Sequence, residues 1–554
     1  MVWFKFVVVL LLLVSVLAVD LQHTTSFDRE VHFSARRSSK SDDWEPFQWT
    51  SWMSGPACPR RAGRVLVPLS PASLTGPLAS ISHILDSLIA NVSARYGIDF
   101  GAHIGIVYGD QVLLTHGTGT IKAAVTETPT ADTIFSMGSV SKIFTSHLLM
   151  ALVDQGVVSS VDQPVTDFFN TQNPPAFTPL NPYGDKSLKG LSLRALASHT
   201  SGLAREPVCN VFDMCQSSNI ENLIIQTINS VPLFYPPLTV PHYSNLAIGL
   251  LSRCLERAMS KKIGSTVKFE DLMEWKILQP LGMNNSGFHY TDSVKAKMAV
   301  GYTISGGFQV IESTWAKDLG WATGCGGLHT TTNDMLKFLA SLRANKGVLS
   351  HSSLQLYASP SAENLDGLSG FGLATWEKVY ANGYQVLTKG GLVGGFGTSL
   401  VFVPELELGL VSWTNLQSGS IPSEVTAKAF NVLVPALEAA LAAAQPKPKL
   451  PDNYTVVLGV YGVSSPLVVV KEVSPGVLQG SFLNYPVVWT WEEAVQTPTT
   501  WLFRYRLNIP SGQQASCFTV NSLGEDAVAL FSFTAKGILV SLPDQAIWNL
   551  PKLK

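Results

Sequence analysis

A serine and a lysine stand three residues apart in the segment Phe135-Ser-Met-Gly-Ser-Val-Ser-Lys142. The apolar residues that follow predict a buried helix that runs to about Gln155 and ends at Gly156. Residues three apart share one face of a helix, so the Lys142 amine lies within reach of the Ser139 hydroxyl. The helix N-terminus supplies N–H donors for an oxyanion. The pair therefore indicates a nucleophile and its base, although this motif alone arises about once by chance in such a chain.

A second segment, Tyr243-Ser-Asn245, precedes a predicted helix that runs to about Met259. In extended backbone, residues two apart point the same way, so the phenol and the amide are expected to face one cleft. A phenol close to a lysine loses its proton more easily and can relay protons. The structural alternative is a surface tyrosine followed by an asparagine that caps the helix.

A third segment, Lys389-Gly-Gly391, follows a predicted strand over Tyr384–Thr388 and precedes further glycines. Backbone without side chains lets a substrate lie along a strand edge. The Lys389 ammonium can attract a carboxylate, and the N–H group of Leu392 can complete an oxyanion hole. A glycine-rich turn with no other purpose is the alternative interpretation.

The three segments, in this order, resemble the motifs S-x-x-K, Y-x-N and K-[TSG]-G of the serine β-lactamase, DD-peptidase and related esterase family. The class C-like branch is the most similar. Four further segments are similar to the family, at residues 198–203, 243–251, 280–283 and 326–331. The resemblance covers about residues 75–445.

The resemblance implies a role for each matching residue. Ser139 becomes the acylated nucleophile, Lys142 its general base or proton relay, and Tyr243 the partner in acid/base transfer. Asn245 contacts the substrate and the lysine, while Lys389 is an electrostatic element of the cleft. The substrate is expected to lie along Gly391 and Leu392, and the N–H groups of Ser139 and Leu392 form the oxyanion hole.

Two positions depart from the family pattern. Gly390 stands where a hydroxyl residue is usual, and the apolar Leu392 stands where a small residue is usual. These departures argue against an antibiotic or peptidoglycan substrate. They favour an apolar acyl pocket, with Val393 and Phe396 beside it.

The composition excludes several other classes of protein. Of the 554 residues, 14% are charged and the net charge is −2, against roughly 25% charged residues in typical soluble proteins. A nearly neutral chain without runs of one charge argues against nucleic acid or an anionic membrane as the main partner. The sequence shows no phosphate loop, dinucleotide fingerprint or metal-ligand cluster, and the proposed chemistry needs no cofactor.

The N-terminal residues predict export. Lys5 precedes an apolar stretch from Phe6 to Val14, and Val16 and Ala18 suit the cleavage positions of a signal peptide over residues 1–18. A membrane anchor is the alternative, but the stretch is short for a bilayer span. No second apolar segment is long enough to cross a membrane, so the mature protein is expected to be secreted.

The cysteines and the glycosylation sequons agree with export. Six cysteines allow 15 pairings, and Cys209–Cys215 is favoured because a short loop joins the two residues. Sequons begin at Asn91, Asn284 and Asn453, which are expected on the surface.

The predicted fold class is α/β (α+β). Strands over Ala102–Tyr108 and Gln111–His116, and later strands that end at Thr414, are expected to form one antiparallel sheet flanked by helices, beside a helical region. The predicted organisation is an N-terminal extension over 19–65, a hydrolase domain over 66–445, a linker over 446–451 and a small β-rich domain over 452–554. The signal peptide and the last domain are similar to those of secreted β-lactamase-like proteins of filamentous fungi. This similarity would agree with a role of the protein in fungal secondary metabolism.

The sequence therefore predicts a secreted serine hydrolase that acts on a small-molecule ester or amide. Two alternatives stay open: an acyltransferase or transesterase of a natural-product pathway, and a non-catalytic binding protein with this fold. A Ser-His-Asp hydrolase based on His199, His242 or His329 is a weaker rival because the G-x-S-x-G motif is absent. The oligomeric state is not predicted.

Overall fold

A computed structural model of the chain describes residues 68–69, 71–169, 177–179, 191–209, 215, 219–305, 309–313, 318–343, 346–363, 369–373, 376–444, 455, 458–462, 466–474, 477–482, 485–497, 500–507, 528–534, 537–541 and 548–551. The predicted signal peptide, N-terminal extension and linker lie outside the described residues.

The helices of this part of the chain are α1 (Thr75–Tyr96), α2 (Ser141–Asp154), α3 (Thr166–Phe169), α4 (Leu193–Ala197), α5 (Ile220–Ser230), α6 (Asn245–Ile263), α7 (Phe269–Met273), α8 (Asp292–Ala296), α9 (Thr323–Gly326), α10 (Thr332–Ser341), α11 (His351–Ala358) and α12 (Ser420–Ala444).

The strands of this part are β1 (Ala102–Tyr108), β2 (Gln111–Thr118), β3 (Phe135–Ser136), β4 (Tyr302–Ser305), β5 (Gln309–Glu312), β6 (His329–Thr330), β7 (Pro360–Glu363), β8 (Gly370–Gly372), β9 (Glu377–Ala381), β10 (Tyr384–Val393), β11 (Phe396–Val403), β12 (Leu408–Thr414), β13 (Gly459–Gly462), β14 (Pro466–Ser474), β15 (Val477–Phe482), β16 (Tyr485–Thr497), β17 (Thr500–Leu507), β18 (Val528–Thr534), β19 (Gly537–Ser541) and β20 (Trp548–Pro551).

The first and the last strands of the hydrolase region meet in one antiparallel sheet. Its strand order is β2-β1-β12-β11-β10-β9-β8-β7, and β1 pairs with β12 from Ala102 opposite Thr414 to Tyr108 opposite Leu408. Both strands are buried along their whole length because helices cover both faces. The predicted joining of the two ends is confirmed.

Helices pack on both faces of this sheet. The buried residues of α1, Leu78, Ile81, Leu85 and Ile89, recur every three or four positions and form one apolar stripe. Helix α1 packs against α12, which continues through Pro435 as a single helix and also contacts β11 and β12. On the opposite face α10 contacts β1 and β12, and the buried helix α2 belongs to the same core.

Three features of the region differ from the sequence prediction. Strand β10 runs to Val393, so the Lys-Gly-Gly segment lies inside the strand and not after its end. Strands β7 to β9, which were not predicted, extend the sheet beyond β10. The helical middle also contains two small antiparallel pairs, β3 with β6 and β4 with β5.

A second antiparallel sheet follows the long helix α12. Its eight strands, β13 to β20, pair in the order of the sequence, and β13 and β20 also approach each other. All eight strands lie within residues 452–554, the range predicted to be β-rich. The domain boundaries at 66–445 and 452–554 stay a prediction.

The expected disulfide is present between Cys209 and Cys215, whose Cα atoms are 5.3 Å apart. Cys254 and Cys325 are free and buried, while Cys58 and Cys517 lie outside the described residues. Asn91 and Asn284 are exposed as predicted, and Asn453 is outside the described part. None of the described helices is long and apolar enough to cross a lipid bilayer.

Candidate active site

Ser139 is presented to solvent by an otherwise buried segment. It lies in the short helical turn Gly138–Val140, directly before α2. Between Thr133 and Leu152 every residue except Ser139 is buried. Gly138 has φ +54°, and a Cβ atom there would lie 2.7 Å from the Leu392 nitrogen. A residue without a side chain is therefore required where the turn contacts β10.

Two ionisable side chains converge on the Ser139 hydroxyl. Lys142 Nζ donates to Ser139 Oγ at 3.0 Å, and the Tyr243 hydroxyl donates to the same oxygen at 2.6 Å. These distances are within the range in which protons move between hydrogen-bonded groups. The structure thus brings together the three residues predicted to be catalytic.

Lys142 is held in place by a backbone carbonyl from a distant segment. Its side chain is fully buried, and Nζ donates to the carbonyl oxygen of Cys325 at 2.6 Å. This contact fixes the amine beside Ser139, because the carbonyl belongs to α9, which packs against α2. The sequence did not predict this contact, because every residue has a backbone carbonyl and no residue type marks the one that accepts from Lys142.

Tyr243 lies among three cationic groups. The distances from its ring centroid are 5.0 Å to Lys142 Nζ, 5.2 Å to Lys389 Nζ and 4.8 Å to the Arg205 guanidinium carbon. Burial raises the pKa of Tyr243, but the charges of Lys142 and Lys389 and the hydrogen bonds outweigh it. The net effect is that the pKa of the phenol lies below its ordinary value. The phenol is therefore prepared for proton transfer.

Lys389 is buried, with 3% of its side chain exposed, and donates to Glu377 Oε1 at 2.9 Å. Glu377 lies on the unpredicted strand β9. The turn Asn382-Gly383 joins β9 to β10, and its backbone has positive φ at both residues. A two-residue Asn-Gly turn fixes hairpin register, so it could have placed Glu377 opposite Thr388 and beside Lys389.

Gly391 lies against the turn Gly138–Val140 that carries Ser139, the nucleophile turn. A Cβ atom there would be 2.0 Å from the Met137 carbonyl oxygen, which also accepts a hydrogen bond from Thr398 Oγ1 at 2.9 Å. The next residue, Leu392, is 49% exposed, and its nitrogen is close to Gly138. This geometry agrees with a Leu392 N–H group directed at the nucleophile, while an oxyanion hole stays a prediction.

Among the described residues, Asn245 makes no hydrogen bond to Lys142. Its Nδ2 donates to both carboxylate oxygens of Glu206, at 2.8 and 2.9 Å. The contact expected at the lysine is made instead by the Cys325 carbonyl. The Glu206 carboxylate is a charged acceptor, which forms a stronger hydrogen bond with the amide nitrogen than a neutral acceptor would. A substrate contact through the Asn245 carbonyl oxygen stays a prediction.

None of the three candidate histidines hydrogen-bonds Ser139 within the described part of the chain. His199 is buried beside the Tyr243 ring, His242 lies against Tyr235, and His329 lies against Tyr290. Burial lowers the pKa of His329 to about 4. The geometry therefore does not support a Ser-His-Asp arrangement.

Tyr243→Phe is expected to slow acylation of Ser139 on the order of 100-fold, because it removes one of the two proton-transfer groups. The aromatic ring remains, so the packing around it should be kept. The measurement is the single-turnover rate of adduct formation, followed by intact mass. A rate equal to that of the wild type would show that Lys142 alone carries the proton.

The fold and the three converging side chains define a protein of the serine β-lactamase and DD-peptidase class. The sequence model of the Beta-lactamase family matches residues 85–430. This match spans more than half of the chain, and the chain belongs to that family.

Individual relatives agree with this assignment. Beta-lactamase-like protein 2 of Dictyostelium discoideum is 31% identical over 363 residues, 63% of this chain and 62% of that protein. Beta-lactamase-like protein 4 of the same organism is 32% identical over 60% of this chain and 59% of that protein. The chain thus spans about three fifths of the length of these relatives. Esterase EstB of Burkholderia gladioli is 24% identical over 51% of this chain and 75% of that protein.

A solved structure shares the fold. The octameric penicillin-binding protein homologue from Pyrococcus abyssi has a TM-score of 0.53 and 21% sequence identity, over 84% of this chain and 98% of that chain. At this identity the similarity shows the fold alone.

Proposed function

We propose that the protein is a secreted serine hydrolase that cleaves a small-molecule ester or amide through an acyl-enzyme on Ser139. One observation carries the proposal: Ser139 Oγ lies within hydrogen-bond distance of both Lys142 Nζ and the Tyr243 hydroxyl. A nucleophile with two adjacent ionisable groups has the parts required for acyl transfer. Membership of the Beta-lactamase family and the esterase relative support it.

The proposed reaction has two halves. Whichever of Lys142 and Tyr243 is deprotonated accepts the Ser139 proton as Oγ bonds to the substrate carbonyl carbon. The carbonyl oxygen becomes an oxyanion, which the N–H groups of Ser139 and Leu392 stabilise. The tetrahedral intermediate collapses, and the proton passes to the departing alcohol or amine. Water then attacks the acyl-enzyme by the same steps and releases the acid.

We further propose that the acyl group is uncharged and largely apolar. The Lys389 ammonium is already paired with the Glu377 carboxylate at 2.9 Å, so less positive charge remains for a substrate carboxylate. Beside the nucleophile turn, Leu392 exposes an apolar side chain. Phe396 is buried and Val393 is half-buried, so Leu392 is the member of the expected pocket that is most open to a ligand.

Export is supported by the apolar N-terminal residues. The Cys209–Cys215 disulfide and the exposed sequon asparagines Asn91 and Asn284 are compatible with an oxidising, glycosylating compartment. A transesterase would form the same acyl-enzyme and differ only in the acceptor. Product analysis with and without an added alcohol or amine separates hydrolysis from transfer.

The proposal is tested by incubating the purified protein with a neutral fluorophosphonate and, separately, with a penicillin-type donor that carries a carboxylate. Intact mass and peptide mapping should show a single adduct on Ser139, formed faster with the neutral donor. An adduct on another residue would overturn the nucleophile. Failure of both donors to react would favour a non-catalytic binding protein.

A further inference from the structure

His199 is fully buried and contacts the segment that carries Tyr243 at three points. Its ring lies against the Tyr243 ring, with centroids 4.5 Å apart. Its Nδ1 accepts the backbone N–H of Ser244 at 3.1 Å, and its carbonyl oxygen accepts the N–H of His242 at 2.7 Å. Phe371 packs edge-on against the same imidazole, with centroids 5.4 Å apart. One residue thus holds the backbone on both sides of Tyr243 and the phenol ring itself.

Two features of His199 cost free energy. Its φ angle is +59°, a left-handed conformation that is unfavourable for a residue with a side chain. Because Nδ1 accepts a hydrogen bond, the neutral ring carries its proton on Nε2. Within the described part of the chain this buried Nε2 has no hydrogen-bond partner. Such costs persist where the surrounding structure imposes them, and they are concentrated at functional sites.

The surroundings of His199 keep its ring neutral. Burial, followed by the positive charges of Lys142, Lys389 and Arg205 and the nearby His242, holds the pKa of His199 well below its ordinary value. A neutral ring can pack against Tyr243 without adding a further positive charge to the cations around the phenol.

We propose that His199 is a positioning residue that holds the Tyr243 hydroxyl against Ser139. It acts through the hydrogen bond to the Ser244 N–H and through packing of its ring on the phenol. This inference rests on the proposed acyl-enzyme chemistry, in which Tyr243 transfers a proton at Ser139. Among the described residues, His199 makes no hydrogen bond to Ser139, and in this scheme it does not contact the substrate.

A double-mutant cycle tests the inference. His199→Ala is expected to lower the maximum rate of Ser139 acylation tenfold to a hundredfold, with the half-saturating donor concentration changed less than about twofold. In a Tyr243→Phe background the same substitution should cause almost no further loss, since no hydroxyl remains to be positioned. Equal losses in both backgrounds would overturn the proposal, as would no loss in either.

A matched control separates positioning from loss of packing. His103 is also buried, uses Nδ1 for a hydrogen bond to Thr332 Oγ1 at 3.0 Å and stacks on an indole ring, that of Trp413. Among the described residues, His103 makes no hydrogen bond or ring contact with Ser139, Lys142 or Tyr243. His103→Ala should leave the acylation rate within about twofold of wild type. An equal loss in His103→Ala and His199→Ala would overturn the proposal.

His199→Asn keeps the cycle informative if the alanine variant fails to fold. Asparagine tolerates positive φ, and its side-chain oxygen lies near the position of Nδ1, so it can still accept the Ser244 N–H. The ring is lost. The acylation rate of His199→Asn is expected to be about tenfold below wild type. In the Tyr243→Phe background the same substitution should cause almost no further loss. A wild-type rate in His199→Asn would overturn the role of the ring.

Titration of the Tyr243 phenol gives a readout that needs no substrate. The absorbance of the Tyr243 phenolate is obtained by subtracting the titration curve of the Tyr243→Phe variant from that of the same protein with Tyr243 intact. Loosening Tyr243 from Lys142 and Lys389 should move its titration midpoint upward, toward the ordinary value for tyrosine. If the wild type forms no adduct, the proposed function is wrong. The titration still tests the positioning role of His199, because an unchanged midpoint in His199→Asn overturns that role.

Discussion

Ser139→Ala is expected to form no covalent adduct with any acyl donor. Turnover of an ester that the wild type hydrolyses should fall roughly 10⁶-fold, the loss found when the nucleophile of another serine hydrolase is removed. The physical reason is that Lys142 and Tyr243 both converge on this oxygen, so without it they have no nucleophile to deprotonate. Intact mass after incubation with a fluorophosphonate and steady-state hydrolysis are the measurements.

Ser146→Ala is the matched control for this substitution. Ser146 lies on α2, the helix that directly follows the turn of Ser139, and its buried hydroxyl has no hydrogen-bond partner among the described residues. Removing such a group costs little, so the adduct and the rate should stay within about twofold of wild type. A persistent adduct in Ser139→Ala would show that the reactive nucleophile is elsewhere.

Gly391→Ala is expected to lower the acylation rate about 10³-fold, the size of effect caused by loss of one oxyanion-hole donor. The added Cβ would lie 2.0 Å from the Met137 carbonyl oxygen and 2.3 Å from Thr398 Oγ1. Strand β10 must therefore move away from the nucleophile turn, and the Leu392 N–H moves with it. The overpacking should also lower the free energy of unfolding by about 1–3 kcal/mol.

Gly390→Ala provides the control one residue away. A Cβ atom at Gly390 meets no atom within 4 Å, so acylation and stability should both stay close to wild type. Single-turnover acylation and urea unfolding measure the two effects in parallel. Similar behaviour of the two variants would show that β10 does not position the site as described.

The parts of the site that the sequence predicted are those set by local geometry. Ser139 and Lys142 are three residues apart on one helical segment, so helix periodicity alone brings them together. Tyr243 was found through its motif and lies where that motif implied. The sheet was predicted from short connections, since β10 to β12 can pair only as antiparallel neighbours.

The parts that were missed depend on contacts between distant segments. Lys142 and Cys325 are 183 residues apart in sequence, and no periodicity links a side chain to a backbone carbonyl at that distance. Asn245 was expected at the lysine, but its amide nitrogen donates to the Glu206 carboxylate, a charged acceptor. Glu377 was missed because the short strand β9 was not predicted. The Asn382-Gly383 turn could have predicted how β9 pairs with β10.

The pairing of β1 with β12 has a consequence for synthesis on the ribosome. Ala102 must find Thr414 across more than half of the chain, so the central strands cannot pair until the later one has been made. The turn that carries Ser139 is made early, whereas its neighbours on β10 and β11 follow only after roughly 250 further residues. Such long-range pairing slows folding and leaves strand edges open in the meantime. A nascent chain halted before residue 408 therefore contains Ser139 and Lys142 but lacks β12, the strand that joins β1 to β11 in the sheet.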